Sequence, residues 1–349
     1  MSFKYTNYLI CSVILTNWKM IHMTKQYMIS KNTLIGIAIS TFLIGIIIGG
    51  IIGYFASPTD GENFDLPEMD SFRMGFMPTS PENVDTVTTN AEELASFLSS
   101  KMGIDVEIYP ITNGYEDLIL AFQNGQIDAA FMDGGPAHFV IEGGWGNVML
   151  AELRSANNQP YYDSVAWVRA NSNIDSLSTM LDGSYISSHT SATGTAGMIM
   201  PIGTLIDEGY MQTQSDDDTQ TLLARYFASS EIGGSYGGAL QRVLDGQADV
   251  AFVRDTTPTD LFPDRVDELR LLHTFGRVPS HPIVVSSQLA EGWRFRFVNA
   301  MLELNMPENV DLLSSLYGAP GLVGANNVHI KDLSDAIRNL PWLEDEILG

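Results

Sequence analysis

The segment GQIDAAF at residues 125–131 recurs almost unchanged as GQADVAF at residues 246–252. Each copy follows an amphipathic helical pattern, at 115–124 in the first case and 238–245 in the second. In each copy a glycine ends the helix, and an aspartate opens a short apolar run typical of a buried strand. A helix–turn–strand unit that occurs twice predicts two similar α/β lobes.

Further strands and helices alternate around the first copy. Apolar runs at 72–77, 105–110 and 127–132 predict strands, and 90–102 and 114–124 predict helices. We expect a first lobe of residues 71–158 plus 280–349 and a second lobe of residues 162–275, joined by a hinge. Ligands bind α/β sheets at loops after the carboxyl ends of parallel strands. The loops that follow the two copies, beginning at Asp133 and Arg254, are therefore candidate ligand loops.

The amino-terminal part differs in composition from the rest. Residues 34–55 carry no charged side chain, and a helix of that length reaches roughly 33 Å, enough to cross a bilayer. Lysines precede this stretch and carboxylates follow it, so the positive-inside rule places residues 1–33 in the cytoplasm. We expect a single-pass membrane anchor at 34–55, a polar linker at 56–70 and an extracytoplasmic folded region. A cleaved signal peptide is the alternative.

The charge balance excludes one class of partner. The chain has 349 residues, with 18 Lys and Arg against 42 Asp and Glu, a net charge of −24. Nucleic acid binding requires clustered basic residues, so we expect no nucleic acid partner. The single cysteine, Cys11, allows no intramolecular disulfide. The six histidines form no HxxH or HExxH pattern, and no cofactor or metal is predicted.

A second cluster is the run HTSATGTAGMIMP at residues 189–201. A strand predicted at 184–188 leads into a small, hydroxyl-rich loop and then an apolar helix. A helix amino terminus offers unpaired N–H groups and partial positive charge, so it holds a phosphate-like anion without Lys or Arg. The alternative is an ordinary Ser/Thr helix cap. The loop lacks the Gly-Lys-Ser/Thr of nucleotide-hydrolysing proteins.

From 72 to 340 the chain resembles the phosphonate/phosphate (phosphite) substrate-binding proteins of ABC transporters, which have the type II periplasmic-binding fold. Seven segments match in the family's order: FRMGFMPTSPE (72–82), TNGYEDLILAFQNGQIDAAFMDGGPAHF (112–139), QPYYDSVAWVR (159–169), TGTAGMIMP (193–201), GGSYGGALQRVLDGQADVAFVRDT (233–256), SHPIVV (280–285) and LYGAPGLVG (316–324). The resemblance implies a two-lobed α/β protein that is not an enzyme. Such a protein closes around a small oxyanion and delivers it to an ABC permease and its ATPase.

The resemblance also implies which residues contact the ligand. They are Tyr115, Asp133, Gly134, Tyr162 with Tyr161 less favoured, Thr193, Gly194, Thr195, Ala196, Tyr236 and Asp255. Family members usually have a Ser-His-acid sequence where this chain has Ser235, Tyr236 and Gly237. The missing acid favours phosphate, phosphite or a simple phosphonate over an aminoalkylphosphonate.

Three other functions fit parts of the sequence. Residues 233–237 match the GxSxG nucleophile elbow and precede Asp255 and His273 or His281, the residue order of α/β-hydrolases, but Asp255 follows the serine too soon. Adjacent tyrosines bind ferric iron with an anion in related two-lobed proteins; no histidine or carboxylate lies at a telling spacing beside Tyr161 and Tyr162, so we expect iron not to be the ligand. The folded region could also be the extracytoplasmic sensor of a signalling system.

Overall fold

The computed structural model describes residues 66–76, 84–109, 111 and 115–344. The predicted cytoplasmic segment 1–33, the predicted anchor 34–55 and the linker up to residue 65 lie outside this range. Among the described residues, no helix combines the length and the apolar character that crossing a membrane requires.

Two mixed sheets organise the described part of the chain, one of six strands and one of five. In chain order the strands are β1 (Ser71–Phe76), β2 (Asp105–Tyr109), β3 (Ala129–Phe131), β4 (Gly146–Glu152), β5 (Tyr161–Arg169), β6 (Ile186–His189), β7 (Ser229–Ile232), β8 (Val250–Arg254), β9 (Leu269–Pro279), β10 (Pro282–Ser286) and β11 (Leu322–Gly324).

Helices cover both sheets. In chain order they are α1 (Val84–Met102), α2 (Tyr115–Gln123), α3 (Gly134–Glu142), α4 (Leu177–Met180), α5 (Met200–Asp207), α6 (Thr219–Leu223), α7 (Tyr236–Leu244), α8 (Thr257–Leu261), α9 (Glu291–Leu302), α10 (Val310–Tyr317) and α11 (Lys331–Arg338). A π-helical turn, Thr195–Ile199, leads into α5. Helix α1 begins at Val84, before the predicted residue 90. The prediction missed the first turns because they are rich in Val and Thr, which have low helix propensity.

The first sheet has the spatial order β11-β4-β10-β3-β1-β2. Strand β1 is parallel to β2 and β3, as helical crossovers require, and β10 is antiparallel to β3 and β4. The second sheet has the order β7-β6-β8-β5-β9, with β6 parallel to β7 and β8 and with β5 antiparallel to β8 and β9. Each sheet therefore has a parallel part whose carboxyl edge is available for ligand loops.

The sequence repeat corresponds to one structural unit in each sheet. The first copy joins α2 to β3 and the second joins α7 to β8. The glycine after each helix, Gly125 and Gly246, has a positive φ of 65° and 74°. Only glycine adopts this left-handed conformation at low cost, which explains why the same residue ends both helices.

The chain passes between the sheets at two places that lie side by side. Residues 153–160 connect β4 to β5, and Ser280 and His281 connect β9 to β10. Ser280 is 1% exposed; its N–H donates to the Pro160 carbonyl at 2.9 Å, and its hydroxyl donates to the Glu152 carbonyl. Strand β9 stays in the second sheet to Pro279, beyond the boundary expected at 275.

Helix α11 packs mainly on the second sheet, although the sequence assigned 280–349 to the first lobe. Its Leu333 and Ile337 belong to the second sheet's core. A Cβ on Gly203 of α5 would lie 2.4 Å from the Ala336 carbonyl oxygen, so the two helix backbones touch. The division into lobes stays a prediction, and α11 belongs with the second sheet by its core contacts.

Candidate ligand-binding cleft

The predicted ligand loops gather at the carboxyl edges of the two sheets. In the first sheet, Asp133 follows β3 and Arg154 follows β4. In the second, the hydroxyl-rich loop follows β6 and Asp255 follows β8, while antiparallel β5 begins at the same edge with Tyr161. We call the space between these edges the cleft.

Asp133 is the centre of a hydrogen-bonded group on the first-sheet side of the cleft. The Tyr115 hydroxyl donates to Asp133 Oδ2 at 2.5 Å. The His281 ring reaches Asp133 Oδ1 with Nε2 at 3.1 Å and Glu152 Oε2 with Nδ1 at 2.7 Å. The structure thus brings the predicted residues Tyr115 and Asp133 together and adds His281 and Glu152, to which sequence reasoning gave no ligand-binding role.

The charge of the imidazole in this group is set by its carboxylate neighbours. Burial disfavours a charged imidazole, but the hydrogen bonds and negative charges of Asp133 and Glu152 raise the pKa of His281 to about 10. Burial also opposes ionisation of Asp133, yet His281, the Tyr115 hydroxyl and the charge of Arg154 hold its pKa below the ordinary value. At neutral pH His281 is therefore an imidazolium beside an ionised Asp133.

Tyr162 and Tyr236 form the second-sheet side of the cleft. Their hydroxyl oxygens lie 3.1 Å apart. Burial raises the pKa of both phenols, and the negative charge of Asp133 raises each further. Arg154, which follows β4 in the first sheet, lies over the Tyr162 ring at 4.8 Å, so the two sides of the cleft face each other.

Tyr161 has a different environment from its neighbour. Successive side chains of a strand point to opposite faces of the sheet. The Tyr161 ring accordingly lies under Arg277, 4.2 Å from its guanidinium carbon, while Tyr162 lies under Arg154 at 4.8 Å. Of the two tyrosines, Tyr162 is the one that joins the cleft group.

Arginines concentrate positive charge around the cleft, a feature that sequence reasoning missed. Besides Arg154 and Arg277, Arg254 lies over the Tyr236 ring at 5.4 Å and pairs with Asp260 at 2.9 Å. The four lysines before Asp60 leave only 14 basic residues against 42 acidic ones in the rest of the chain. Three of those 14 contact cleft or neighbouring tyrosines, which attracts anions to this edge.

The hydroxyl-rich loop between β6 and α5 rests on a buried support. A Cβ on Gly194 or Gly197 would come within 2.2 or 2.3 Å of the Thr190 hydroxyl, so both positions require glycine. The Ser164 hydroxyl donates to the Ala196 carbonyl at 2.7 Å, which fixes the loop beside β5. Gly194 caps the π-helical turn and supplies no side-chain hydrogen bond to it. The loop therefore leads into a helix terminus, whose first N–H groups lack partners within the helix, and its role as an anion site stays a prediction.

The four predicted loop residues are not equally accessible. Thr193 is exposed, and Gly194 and Thr195 are half-buried. Ala196 is fully buried, so only its backbone is available to a ligand. The two threonine hydroxyls are the side-chain groups of the loop that a ligand can reach.

Asp255 lies at the cleft edge but is engaged with the backbone. Its Oδ1 accepts from the Asp163 N–H at 3.3 Å, and its own N–H donates to the Asp163 carbonyl at 3.0 Å. Nearby, the fully buried Thr257 hydroxyl has no hydrogen-bond partner among the described residues. Gly134 is buried against Leu333 of α11, where a Cβ would lie 2.5 Å from Leu333 Cδ2, so its contribution is close backbone approach.

The hydrolase arrangement is not assembled. The Ser235 hydroxyl caps α7 by accepting from the Gly238 N–H at 3.0 Å. His281 is held by Asp133 and Glu152, and the His273 ring lies 4.9 Å from the Phe275 ring. In the part of the chain that the structure describes, Ser235 therefore has no general base beside it.

His189, beneath the loop, predicts a measurable pH dependence. It is fully buried; Nδ1 donates to the Gly197 carbonyl at 2.8 Å, and Nε2 accepts from the Ser187 hydroxyl at 2.9 Å. Burial lowers its pKa from 6.5 to about 4, with the Gly197 hydrogen bond opposing in part. The unfolded chain takes up this proton first, so the stabilisation is complete above the unfolded pKa and is lost as pH falls towards 4, by about 3 kcal/mol.

The measurement is the free energy of unfolding in urea between about pH 7 and pH 4, for the wild type and for His189→Gln. The variant is expected to be less stable at neutral pH but to have a shallower slope in acid. Parallel curves for the two proteins would contradict a neutral, buried His189.

A model of the family described as ABC transporter, phosphonate, periplasmic substrate-binding protein matches residues 74–329. The chain belongs to this family. Its members bind substrates for transport, so the prediction of a binding protein that is not an enzyme is confirmed. The predicted family is confirmed with it.

Two curated proteins are similar to part of this chain. Ovotransferrin of Gallus gallus is 25% identical over 286 residues, covering 67% of this chain and 39% of its own. The phosphate-import protein PhnD of Mycolicibacterium smegmatis is 26% identical over 190 residues, covering 53% of this chain and 56% of its own. The chain thus spans about two fifths of the first of these curated relatives and just over half of the second.

A solved structure supports the same architecture. PhnD1 from Prochlorococcus marinus, in complex with methylphosphonate, superposes with a TM-score of 0.52 at 17% identity, covering 78% of this chain and 98% of its own. The two-sheet α/β fold similar to PhnD-type binding proteins is therefore established.

Proposed function

We propose that the protein captures a small oxyanion of the phosphate or phosphonate class in the cleft and delivers it to an ABC permease and its ATPase. One observation carries the proposal: the 193–196 loop is fixed to β5 by the bond from the Ser164 hydroxyl to the Ala196 carbonyl at 2.7 Å, and Arg154 lies over Tyr162 of the same strand at 4.8 Å. Helix-terminal N–H groups and arginine side chains attract anions, so in a strongly acidic chain this part of the cleft is the favoured place for an anion to bind.

A simple oxyanion suits the cleft better than one with an amino group. Gly237 supplies no carboxylate, and the Asp255 carboxylate accepts a backbone hydrogen bond from Asp163. Two similar proteins support the same class, since one is a phosphate-import protein and the other was solved in complex with methylphosphonate.

The membrane anchor belongs to the same proposal. Residues 34–55 would hold the folded region at the extracytoplasmic face of the cell membrane, where solute is captured for a permease. Support comes from the absence of charge in this stretch and from the lysines before it and carboxylates after it.

Calorimetry of the full chain tests the proposal. We expect phosphate and methylphosphonate to bind at least about tenfold more tightly than sulfate, a matched tetrahedral anion that lacks an acidic proton. Aminoethylphosphonate should gain nothing from its amino group. Equal, millimolar affinities for all four anions would contradict an oxyanion site in this cleft.

A further inference from the structure

Four side chains from distant parts of the sequence converge on the cleft with donor atoms typical of metal sites. Asp133 and His281 form one pair, with Oδ1 and Nε2 3.1 Å apart. Tyr162 and Tyr236 form the other, with their hydroxyl oxygens 3.1 Å apart. Arg154, which follows the first-sheet strand β4, lies over the Tyr162 ring at 4.8 Å, and the Ser280 N–H, next to His281, donates to the Pro160 carbonyl at 2.9 Å, so the two pairs lie on adjoining sides of one cleft. The cleft thus presents three oxygen donors and one nitrogen donor.

We propose that Asp133, Tyr162, Tyr236 and His281 form a binding site for a trivalent metal ion, ferric iron, whose coordination the captured oxyanion completes. The anion's part rests on the proposed function; the metal's part rests on these four side chains. Sequence reasoning rejected iron because no histidine or carboxylate lay near Tyr161 and Tyr162. The fold supplies both from the opposite side of the cleft.

The environment of His281 is that of a metal ligand. Its Nδ1 is held at 2.7 Å by Glu152, which is 3% exposed. Metal-binding histidines almost always donate their second ring nitrogen to a carboxylate or carbonyl, which fixes the ring and directs the other nitrogen at the metal. Here the other nitrogen, Nε2, faces Asp133 in the cleft.

The donor set selects the charge and hardness of the ion. Two phenolates and one carboxylate carry three negative charges, which balance a trivalent ion. Hard oxygen donors with one imidazole suit ferric iron and disfavour the soft ions that thiolates bind. Among the described residues, no group of three or more His, Cys, Asp and Glu side chains is arranged to hold a metal, so the tyrosines are essential to the set.

The anion loop is placed to complete such a site. Four protein donors leave two positions of an octahedral ion for a bidentate oxyanion. The loop is fixed to β5, the strand of Tyr162, by the bond from the Ser164 hydroxyl to the Ala196 carbonyl at 2.7 Å. An anion held by the loop amides and by the Thr193 and Thr195 hydroxyls would therefore lie beside Tyr162.

Loading is an exchange of protons for metal, with no electron transfer. The two phenols and the imidazolium each release a proton as their O or N atom forms a bond to iron, and Asp133 binds through its ionised oxygen. The complex should be coloured, because phenolate-to-iron charge transfer absorbs visible light.

The experiment titrates the full chain with ferric nitrilotriacetate, in phosphate and in bicarbonate, and follows the visible band and the bound iron. We expect one iron per chain and a strong band in the wild type. Tyr162→Phe and Tyr236→Phe should each lose most of it. Tyr161→Phe is the matched control and should keep it, because that ring lies under Arg277.

A positioning variant and an independent measurement complete the test. Glu152→Gln should release iron about 10–100-fold more readily while keeping the band, because it loosens His281 without removing a ligand. Absence of the band in the wild type, or its survival in both Tyr162→Phe and Tyr236→Phe, overturns the metal site.

Calorimetry of phosphate binding in the absence of iron tests the oxyanion proposal separately. Phosphate binding without any ferric band refutes the metal site and leaves the oxyanion function standing. A ferric band that forms without phosphate or bicarbonate supports the metal site and contradicts the anion's part in it. A band that requires either anion supports both.

Discussion

Replacing Phe252 with alanine is expected to lower the free energy of unfolding by about 3–5 kcal/mol, since the change leaves a large cavity in a close-packed core. Phe252 is fully buried in β8. Its ring centroid lies 4.9 Å from that of His189, 6.1 Å from that of Phe227 and 5.7 Å from that of Phe275. Chemical denaturation followed by circular dichroism measures the loss.

A matched variant separates this core effect from a general loss of an aromatic ring. Phe295 in α9 is 40% exposed, and Phe295→Ala should cost well under half as much as Phe252→Ala. Equal losses for the two variants would show that the four-ring cluster does not hold the second sheet together. Because His189 stacks on Phe252 and bonds Gly197, Phe252→Ala should also weaken anion binding at temperatures where the protein stays folded.

The local units of the fold could be predicted because their determinants are local. The repeated helix–turn–strand needs a glycine at positive φ after the helix and an apolar run after the aspartate, and both are visible in 125–131 and 246–252. The hydroxyl-rich loop was likewise visible, since its residues are contiguous. The residues that support this loop could not be predicted, because Thr190 and Ser164 act through contacts that form only in the packed structure.

The cleft group could be predicted only in part, because its members are far apart in the sequence. A family resemblance predicted four of them, Tyr115, Asp133, Tyr162 and Tyr236. Such a resemblance indicates positions but not the hydrogen bonds and charges around them. His281 was considered only as a hydrolase histidine, although its place between the sheets puts it beside Asp133 and Glu152. The arginines over the tyrosines gave no signal of their own, since a stacked arginine has no characteristic spacing from its ring.

The sheet against which α11 packs also could not be predicted from the sequence. The pattern of an amphipathic helix predicts that one face is buried, but it does not predict which sheet packs against that face. The close approach of Gly203 to Ala336 settles this in favour of the second sheet. Long-range partners of this kind are decided by tertiary packing, which single-sequence patterns do not record.

The double variant Thr193→Ala/Thr195→Ala is expected to weaken phosphate binding by about 3–6 kcal/mol, on the order of 10²–10⁴-fold. Each hydroxyl donates one hydrogen bond to a charged ligand, worth about 1.5–3 kcal/mol. The fold should survive, because Thr193 is exposed and Thr195 half-buried. Calorimetry of the full chain gives the affinity, and thermal unfolding confirms that the variant is folded.

The control is Thr193→Ser/Thr195→Ser, which keeps both hydroxyls and removes only the methyl groups. It should bind phosphate within about tenfold of the wild type, since the hydrogen bonds to the anion remain. If the alanine variant bound as tightly as the serine variant, the anion would not contact these hydroxyls. The positive charge of His281 and Arg154 would then hold it alone, and the anion site would lie on the first-sheet side of the cleft.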